Sequence, residues 1–167
     1  MIDEISLKIL QILQQKARVP NVEVARQVNM APSAVLERIR KLEKQGLIDG
    51  YEVILNPRCF NREMVAFVHV YIEKSCLAEE TGSILALIPE VQEIHFISGS
   101  DCFLLKMRVS GKEALFATLS EKISSIPSVT RTETNVVMKT YKESSQIPLD
   151  SVDISEIVEN PSHTKEL

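Results

Sequence analysis

Cationic side chains concentrate between residues 32 and 44, in the segment PSAVLERIRKLEK. At 3.6 residues per turn, the apolar residues of this segment, Val35, Ile39 and Leu42, fall on one side of a helix. The four cations fall on or beside the opposite side: Arg38, Arg40, Lys41 and Lys44. Guanidinium and ammonium groups form ion pairs with phosphates and hydrogen bonds with base edges. The segment therefore has the chemistry of a nucleic-acid-binding helix.

Positions along this helix predict different contacts. Ser33 and Ala34 are small, so the N-terminal end can approach another surface closely, as a helix-turn-helix recognition helix does in the major groove. Arg38 can pair with guanine O6 and N7, and Glu37 can accept a hydrogen bond from cytosine N4. The other cations are expected to contact phosphates: Arg40, Lys41 and Lys44. The charge pattern alone leaves open the alternative of a solvated face in a three-helix bundle.

A second group of polar residues surrounds a short loop between two predicted strands, residues 98–103. Hydroxyl groups and backbone amides from this loop and from the last strand are expected to converge on a small polar ligand. The candidate residues for binding this ligand are Ser98, Gly99, Ser100, Asp101, Cys102, Thr132 and Thr134.

Cysteine and histidine spacing gives no support for a metal or disulfide site. The cysteines are odd in number and lack the close pairs of a zinc ribbon, so we expect reduced thiols: Cys59, Cys76 and Cys102. The histidines have no ligand spacing: His69, His95 and His163. There is also no glycine-rich phosphate loop, Ser/His/Asp set or paired-carboxylate site. We therefore predict no catalytic residue, no cofactor and no enzymatic activity.

The first 46 residues have the pattern of three short helices. Asp3 is predicted to cap the first helix and Asn21 the second. Pro32 fits the first position of the third helix, and Gly46 can end it in left-handed geometry. Residues 47–55 alternate enough to predict a short hairpin or wing. The buried side of the second helix is predicted to consist of Val22, Ala25 and Val28, with Val24 partly covered.

From residue 64 onward the apolar period changes from 3.6 to 2. We predict strands over 64–72, 91–97, 103–109 and 129–141, with helices over 77–88 and 112–125. The residues of the helix over 112–125 that are predicted to face the core are Leu115, Phe116, Leu119 and Ile123. This βαββαβ order is the split βαβ, or ferredoxin-like, pattern. The fold class is therefore α+β, with an N-terminal winged helix-turn-helix followed by a ferredoxin-like sandwich domain.

Charge is distributed unevenly along the chain. Of the net charge of −4, residues 1–60 contribute +2, residues 61–142 contribute −1 and residues 143–167 contribute −5. We predict a DNA-binding domain over 1–60, an αβ-sandwich domain over 61–143 with the small-ligand site, and an acidic, mobile tail over 144–167. A short helix over 152–158 is the alternative for the tail. No signal peptide is visible, and the longest apolar stretch, 65–72, is too short for a bilayer, which predicts a cytoplasmic protein.

Seven segments together resemble the Lrp/AsnC (feast/famine) transcriptional regulators. They are DEISLKIL at 3–10, NVEVA at 21–25, PSAVLERIRKLE at 32–43, GLIDGY at 46–51, Gly99, FLLK at 103–106 and VTRTET at 129–134. The resemblance covers residues 1 to about 142. It implies a winged helix-turn-helix that binds double-stranded DNA, joined to an αβ domain that dimerises through its sheets. It also implies octamers that wrap or bend DNA and an amino acid, or a related small molecule, bound between dimers.

This chain departs from the family pattern at two places. Ala31 stands where the family usually has a Ser or Thr that caps the recognition helix. Cys102 stands where the family has the second aspartate of the effector loop, and Asp101 lies one position earlier. A neutral thiol cannot pair with an ammonium group as a carboxylate does, so the departure bears on which effector binds.

Two other functions compete with an effector-controlled DNA-binding regulator. One is an architectural protein that bridges DNA without any effector, which the unusual effector loop would permit. The other is an Lrp-like haem-precursor decarboxylase, which would need basic and histidine residues around a tetrapyrrole cavity and a degraded DNA-reading helix. The intact series Ser33, Ala34, Glu37, Arg38 and Lys41 favours DNA binding.

Overall fold

The computed structural model describes residues 2–99 and 102–150, together with Val152, Ile154 and Ile157. The chain forms two compact units: Met1–Ile54 with Glu143–Leu167, and Leu55–Lys142. The segment from Glu143 groups with the first unit because it hydrogen-bonds to that unit's first helix. Its acidic composition did not predict this association. The possible helix over 152–158 lies mostly outside the described residues.

Three helices build the first unit: α1 Glu4–Gln15, α2 Asn21–Val28 and α3 Pro32–Lys44. The prediction of three helices is confirmed. The predicted buried side of α2 is wrong at Val22, which is 67% exposed, whereas Val24 is fully buried. The apolar pattern of so short a helix fits two orientations, and packing selects one. The core of the unit consists of Ile9, Leu13, Val24, Ala25, Val28, Val35, Ile39 and Leu42.

The helix ends follow the predicted signals with one exception. Asp3 caps α1, and its carboxylate accepts a hydrogen bond from the backbone N–H of Ser6 at 2.8 Å. Gly46, just after α3, has a φ of +69°, the left-handed geometry predicted for it. Asn21 is not the cap of α2, because the helix already includes it and Pro20 occupies the cap position.

Residues 47–56 form no strand, so the predicted hairpin over 47–55 is wrong for the single chain. Val53 and Ile54 are 85% and 92% exposed. A strand needs a neighbour to satisfy its backbone hydrogen bonds, and the described residues offer none to this segment. Tyr51 is held differently: its hydroxyl donates a hydrogen bond to Glu43 Oε1 at 2.8 Å.

The second unit contains one four-stranded antiparallel sheet in the order β2-β3-β1-β4. The strands are β1 Met64–Ile72, β2 Val91–Ile97, β3 Cys102–Val109 and β4 Val129–Val136. The helices are α4 Ala78–Ala86 and α5 Lys112–Ala117, the latter continued by a π-helical turn over Thr118–Ile123. Two short 3-10 helices lie at Pro57–Phe60 and Ser75–Leu77. The predicted βαββαβ order is confirmed.

The final strand is shorter than the predicted range 129–141. Val136 pairs with Ala66, and the N–H of Val137 donates to the carbonyl of Val65. Strand β1 begins at Met64, so in this register the residues after Met138 run past the end of their partner strand. Strand geometry ends where its hydrogen-bonding partner ends.

The two faces of the sheet are very different. One face packs with α4 and α5 in a core that includes Ala66, Val68, Val70, Leu85, Phe103, Leu105, Met107, Leu115 and Ile123. Phe116, predicted to face this core, is 73% exposed, because it lies about 100° around the helix from buried Leu115. The other face carries Phe67, His69 and Tyr71, which alternate with the buried residues of β1. We call it the open face.

Candidate DNA-binding and effector sites

Helix α3 presents a polar surface on the side away from the core. Val35, Ile39 and Leu42 are buried against α1 and α2, which fixes the orientation of the helix. Ala34 is partly exposed at the N-terminal end. The exposed predicted residues are Ser33, Glu37, Arg40, Lys41 and Lys44. The structure thus brings these six candidate residues onto one accessible surface.

Arg38 has a different environment from the other cations of α3. Its Nη1 donates to both carboxylate oxygens of Asp3, at 2.7 Å each, and to Ser6 Oγ at 3.1 Å. Its side chain is 31% exposed and that of Asp3 is 47% exposed. The hydrogen bonds from Ser6, with the ion pair to Arg38, lower the pKa of Asp3 from 3.8 to about 2.

This geometry bears on the guanine contact predicted for Arg38, which stays a prediction. The prediction that it reads guanine requires a free guanidinium, and here that group joins α3 to the N-cap of α1. Base contact would break an ion pair that also involves the cap of the first helix. Arg38 therefore joins α3 to α1 in this structure, and sequence reasoning missed its partners, Asp3 and Ser6. The available signal was the Asp-x-x-Ser spacing of a helix cap, which did not identify the distant arginine.

The remaining cations of α3 have no ion pair within the described part of the chain. Arg40, Lys41 and Lys44 are exposed and project from the C-terminal two turns of the helix. The nearby acid Glu43 accepts a hydrogen bond from Tyr51. Burial and this hydrogen bond raise the pKa of Tyr51 to about 12, so the phenol stays protonated and neutral at physiological pH. The cations are thus available to phosphates.

The predicted effector loop begins at the end of β2, where Ser98 and Gly99 form a turn, and reaches into β3. Ser98 and Gly99 are exposed there, and Gly99 has a φ of +94°, which L side chains rarely adopt. Cys102 begins β3 and is fully buried. Ser100 and Asp101, also predicted to bind the effector, lie outside the described residues.

Thr132 and Thr134 are not on the same face of the sheet as Cys102. The two threonines pair with Val70 and Val68, whose side chains belong to the core shared with α4 and α5. Cys102 pairs with Tyr71, on the open face. Directly opposed residues in an antiparallel pair share a face. Within one chain, the structure therefore brings Ser98, Gly99 and Cys102 together but separates them from the threonines.

The open face carries polar side chains that sequence reasoning did not single out. The Arg131 guanidinium lies 3.9 Å from the centre of the Tyr71 ring, and the Tyr71 hydroxyl donates to Glu133 Oε2 at 3.4 Å. The Nδ1 atom of His69 is buried and has no hydrogen-bond partner among the described residues. Strand alternation was the available signal, because these residues occupy opposed positions on β1 and β4.

A cavity of about 240 Å³ lies elsewhere in the second unit. It contains none of the predicted effector residues and is lined by Glu73, Leu77, Glu80, Ile84, Ile126, Pro127 and Ser128. Across the described ranges, no group of three or more His, Cys, Asp or Glu side chains is arranged to hold a metal ion. None of the described helices is both long and apolar enough to cross a membrane.

Family models match both units of the chain. Residues 2–49 match a model described as winged helix-turn-helix DNA-binding. Residues 65–147 match the Lrp/AsnC ligand binding domain. The two matches follow one another in the order of the two units.

Curated relatives match over most of their length. The chain is 36% identical to the leucine-responsive regulatory protein of Klebsiella pneumoniae over 148 residues, which is 87% of this chain and 90% of that protein. It is 35% identical to the Escherichia coli K12 protein of the same name over the same shares.

Solved structures with the same fold include one with a bound amino acid. A Neisseria meningitidis transcriptional regulator in complex with L-methionine superposes with a TM-score of 0.85 at 28% identity, covering 90% of this chain and 98% of that one. The E. coli AsnC structure has a TM-score of 0.81 over 89% of this chain and 99% of that one; at 24% identity, this likeness shows the fold.

Proposed function

The chain belongs to the Lrp/AsnC family of DNA-binding transcriptional regulators with an amino-acid-binding domain. On that premise we propose which of its residues contact DNA bases and which contact phosphates. The observation that carries the proposal is the polar surface of α3, on which three cations are exposed while Arg38 is bound to Asp3. Ser33, Ala34 and Glu37 face base edges in the major groove of double-stranded DNA. The phosphate contacts come from Arg40, Lys41 and Lys44.

Selection of binding sites from a random duplex library tests the assignment of base-reading residues. Glu37→Ala is expected to change the preferred bases at one position of the site, because removing a base-edge contact removes discrimination there. Lys41→Ala is expected to lower affinity while selecting the same sequences as the wild type. Identical site preferences for the wild type and Glu37→Ala would contradict the assignment.

For the effector, we propose an amino acid bound at the β2–β3 turn. The supporting observations are the exposed turn, the positive φ of Gly99 and the relative with bound L-methionine. Backbone N–H groups of a tight turn suit the carboxylate of an amino acid. The ammonium group suits Asp101, since the buried Cys102 offers no carboxylate. The proposed effector-binding residues of the loop are Ser98, Gly99, Ser100, Asp101 and Cys102. Thr132 and Thr134 lie on the other face of the sheet, so their part in the same site requires a second chain that completes it.

Calorimetric titration with L-methionine and L-leucine tests this site. Gly99→Ala is expected to weaken binding roughly tenfold, because alanine disfavours the required φ by about 1–2 kcal/mol. No atom lies within 4 Å of the added Cβ, so a clash does not contribute. Gly50→Ala is the matched control, because its added Cβ is equally free and its φ is not positive. The proposal would be contradicted if the wild type bound neither L-methionine nor L-leucine, or if Gly99→Ala bound them as tightly as the wild type.

For the assembly, we propose a homodimer formed through the open face, and an octamer built from four such dimers. On the open face, Phe67 is exposed and His69 and Tyr71 are partly exposed, and these side chains support a homodimer. Light scattering is expected to give a mass of several chains for the wild type and a lower mass for Phe67→Glu. A single-chain mass for the wild type would overturn this part. We further propose that the protein acts in the cytoplasm, where it reaches DNA, and that it catalyses no reaction.

A further inference from the structure

The segment after residue 143 docks on helix α1 through glutamine side chains. Gln14 Nε2 donates to the carbonyl of Ile147 at 2.8 Å, and the N–H of Ile147 donates to Gln14 Oε1 at 3.1 Å. The side-chain amide of Gln14 thereby pairs with the backbone of Ile147 as a neighbouring strand would. Gln146 Nε2 donates in return to the carbonyl of Gln14 at 3.0 Å.

A fourth hydrogen bond extends this contact toward the acidic part of the segment. Gln11 lies one helical turn before Gln14, and its Nε2 donates to Asp150 Oδ1 at 3.2 Å. We call residues 146–150 the docking arm. All four hydrogen bonds are exposed to solvent, and each such bond contributes only about 1 kcal/mol. The docked arm is therefore easily released.

Docking changes the charge of the DNA-binding unit. Residues 1–54 contain eight Lys and Arg against seven Asp and Glu, for a net charge of +1. Residues 143–167 contain six acids against Lys165 alone, for a net charge of −5. The unit that carries α3 is thus mildly basic by itself and has a net charge of −4 with the segment included. Such a charge opposes the approach of a phosphate backbone.

We propose that the docking arm, which holds Asp150 beside α1, tethers the acidic C-terminal sequence to the DNA-binding unit and so acts as an electrostatic brake on DNA binding. The inference rests on the proposed DNA-binding function but assigns a new role to residues outside α3. The Lrp/AsnC ligand-binding match ends at residue 147, so Asp150 and the later acids lie beyond it. DNA and the acidic segment compete for the same unit, and release of the arm favours DNA.

Hydrogen exchange measured by mass spectrometry tests the docking without DNA. In the full wild-type chain, peptides that cover residues 144–150 are expected to exchange more slowly than an unstructured peptide of that sequence, because the Ile147 N–H is bonded to Gln14. Gln14→Ala is expected to abolish this protection. Gln15→Ala, the exposed neighbour on the same helix, is the control and retains it. Unprotected exchange in the wild type, or full protection in Gln14→Ala, overturns the docking.

Fluorescence anisotropy with a mixed-sequence duplex of about four helical turns tests the brake. A chain that ends at Glu143 is expected to bind at least threefold more tightly than the full chain at about 50 mM salt, with the difference shrinking as salt rises. Gln14→Ala, which keeps every charge, shifts affinity in the same direction. If the shortened chain and Gln14→Ala both bind no more tightly than the wild type, the brake is wrong.

The two experiments also separate this inference from the proposed function. Equal binding of the duplex by the full and shortened chains contradicts the brake and leaves DNA binding intact. A complete lack of duplex binding by both chains contradicts DNA binding and the brake together. The exchange experiment decides the docking of the arm in either case.

Discussion

Arg38 and Asp3 are 35 positions apart and join the third helix of the DNA-binding unit to the first. The carboxylate of Asp3 accepts hydrogen bonds from the α1 backbone and from the arginine at the same time. A single acid therefore caps one helix and positions another. The orientation of α3, and with it the surface proposed to bind DNA, depends on this pair.

We expect Arg38→Ala to lower the free energy of unfolding by about 1 kcal/mol, a value that allows for solvent screening of a partly exposed pair. Urea denaturation measures the effect. Arg40→Ala is the matched control, because Arg40 is exposed and unpaired within the described residues, and a change within about 0.5 kcal/mol is expected for it. Equal stability of the two variants would show that the ion pair does not hold α3.

The low pKa of Asp3 gives this contact a defined pH dependence. Its folded-state pKa of about 2 lies below its usual value of 3.8, so the charged form stabilises the fold. The contribution is complete above pH 3.8 and is lost as pH falls from 3.8 through about 2. Asp3→Asn keeps a capping oxygen but removes the charge. The stability difference between wild type and Asp3→Asn is expected to shrink over this range; a constant difference would refute the assignment.

Because Cys102 is buried, we expect its replacement by aspartate to destabilise the fold. The side chain is fully buried at the start of β3, so Cys102→Asp would place a charge at a buried position. We expect the free energy of unfolding to fall by about 3 kcal/mol, measured by urea denaturation. Cys102→Ser, which adds a neutral polar group, is expected to cost less. A Cys102→Asp chain as stable as the wild type would contradict this explanation.

At the scale of elements, α3 lacks the side-chain cap that helps most helices begin. Ala31 has the extended backbone of a cap residue but no oxygen to accept from the first turn. We expect Ala31→Ser to raise the free energy of unfolding by about 1 kcal/mol. Ala17→Ser, at an exposed position that caps no helix, is the control and should leave stability nearly unchanged. Urea denaturation measures both variants, and equal free energies of unfolding for Ala31→Ser and Ala17→Ser would contradict the capping argument.

Periodicity predicted the elements but not every side chain on them. The 3.6 period placed Val35, Ile39 and Leu42 on the buried side of α3, and the period of 2 predicted four strands in the observed order. The buried side of short helices was predicted less well, as Val22 and Phe116 show. Two orientations of such a helix can have similar hydrophobicity, and packing selects one of them. Such choices depend on neighbours that are distant in sequence.

The partners of functional side chains were harder to predict than their positions. The exposed face of α3 followed from spacing, whereas the ion pair of Arg38 with Asp3 required the tertiary fold. The two threonines of β4 were assigned to the loop site, but register with β1 places them on the opposite face from Cys102. Pairing register depends on long-range contacts that alternation along one strand does not determine.

At the scale of the whole molecule, the net charge of −4 conceals two regions of opposite charge. The mildly basic three-helix unit and the acidic C-terminal segment belong to one compact unit, and the sheet unit carries little net charge. Affinity for DNA therefore depends on which charges are exposed rather than on their sum. In the proposed account, the exposed cations of α3 supply attraction, and the docking arm reduces it.

The salt dependence of duplex binding tests the central claim, contact between the exposed cations of α3 and phosphates, most directly. We predict that the plot of log affinity against log salt is shallower for Lys44→Ala than for the wild type by about one, because one phosphate contact is lost. Lys112→Ala, an equal charge change in the sheet unit, should keep the wild-type slope. Identical slopes and affinities for Lys44→Ala and the wild type would contradict the account.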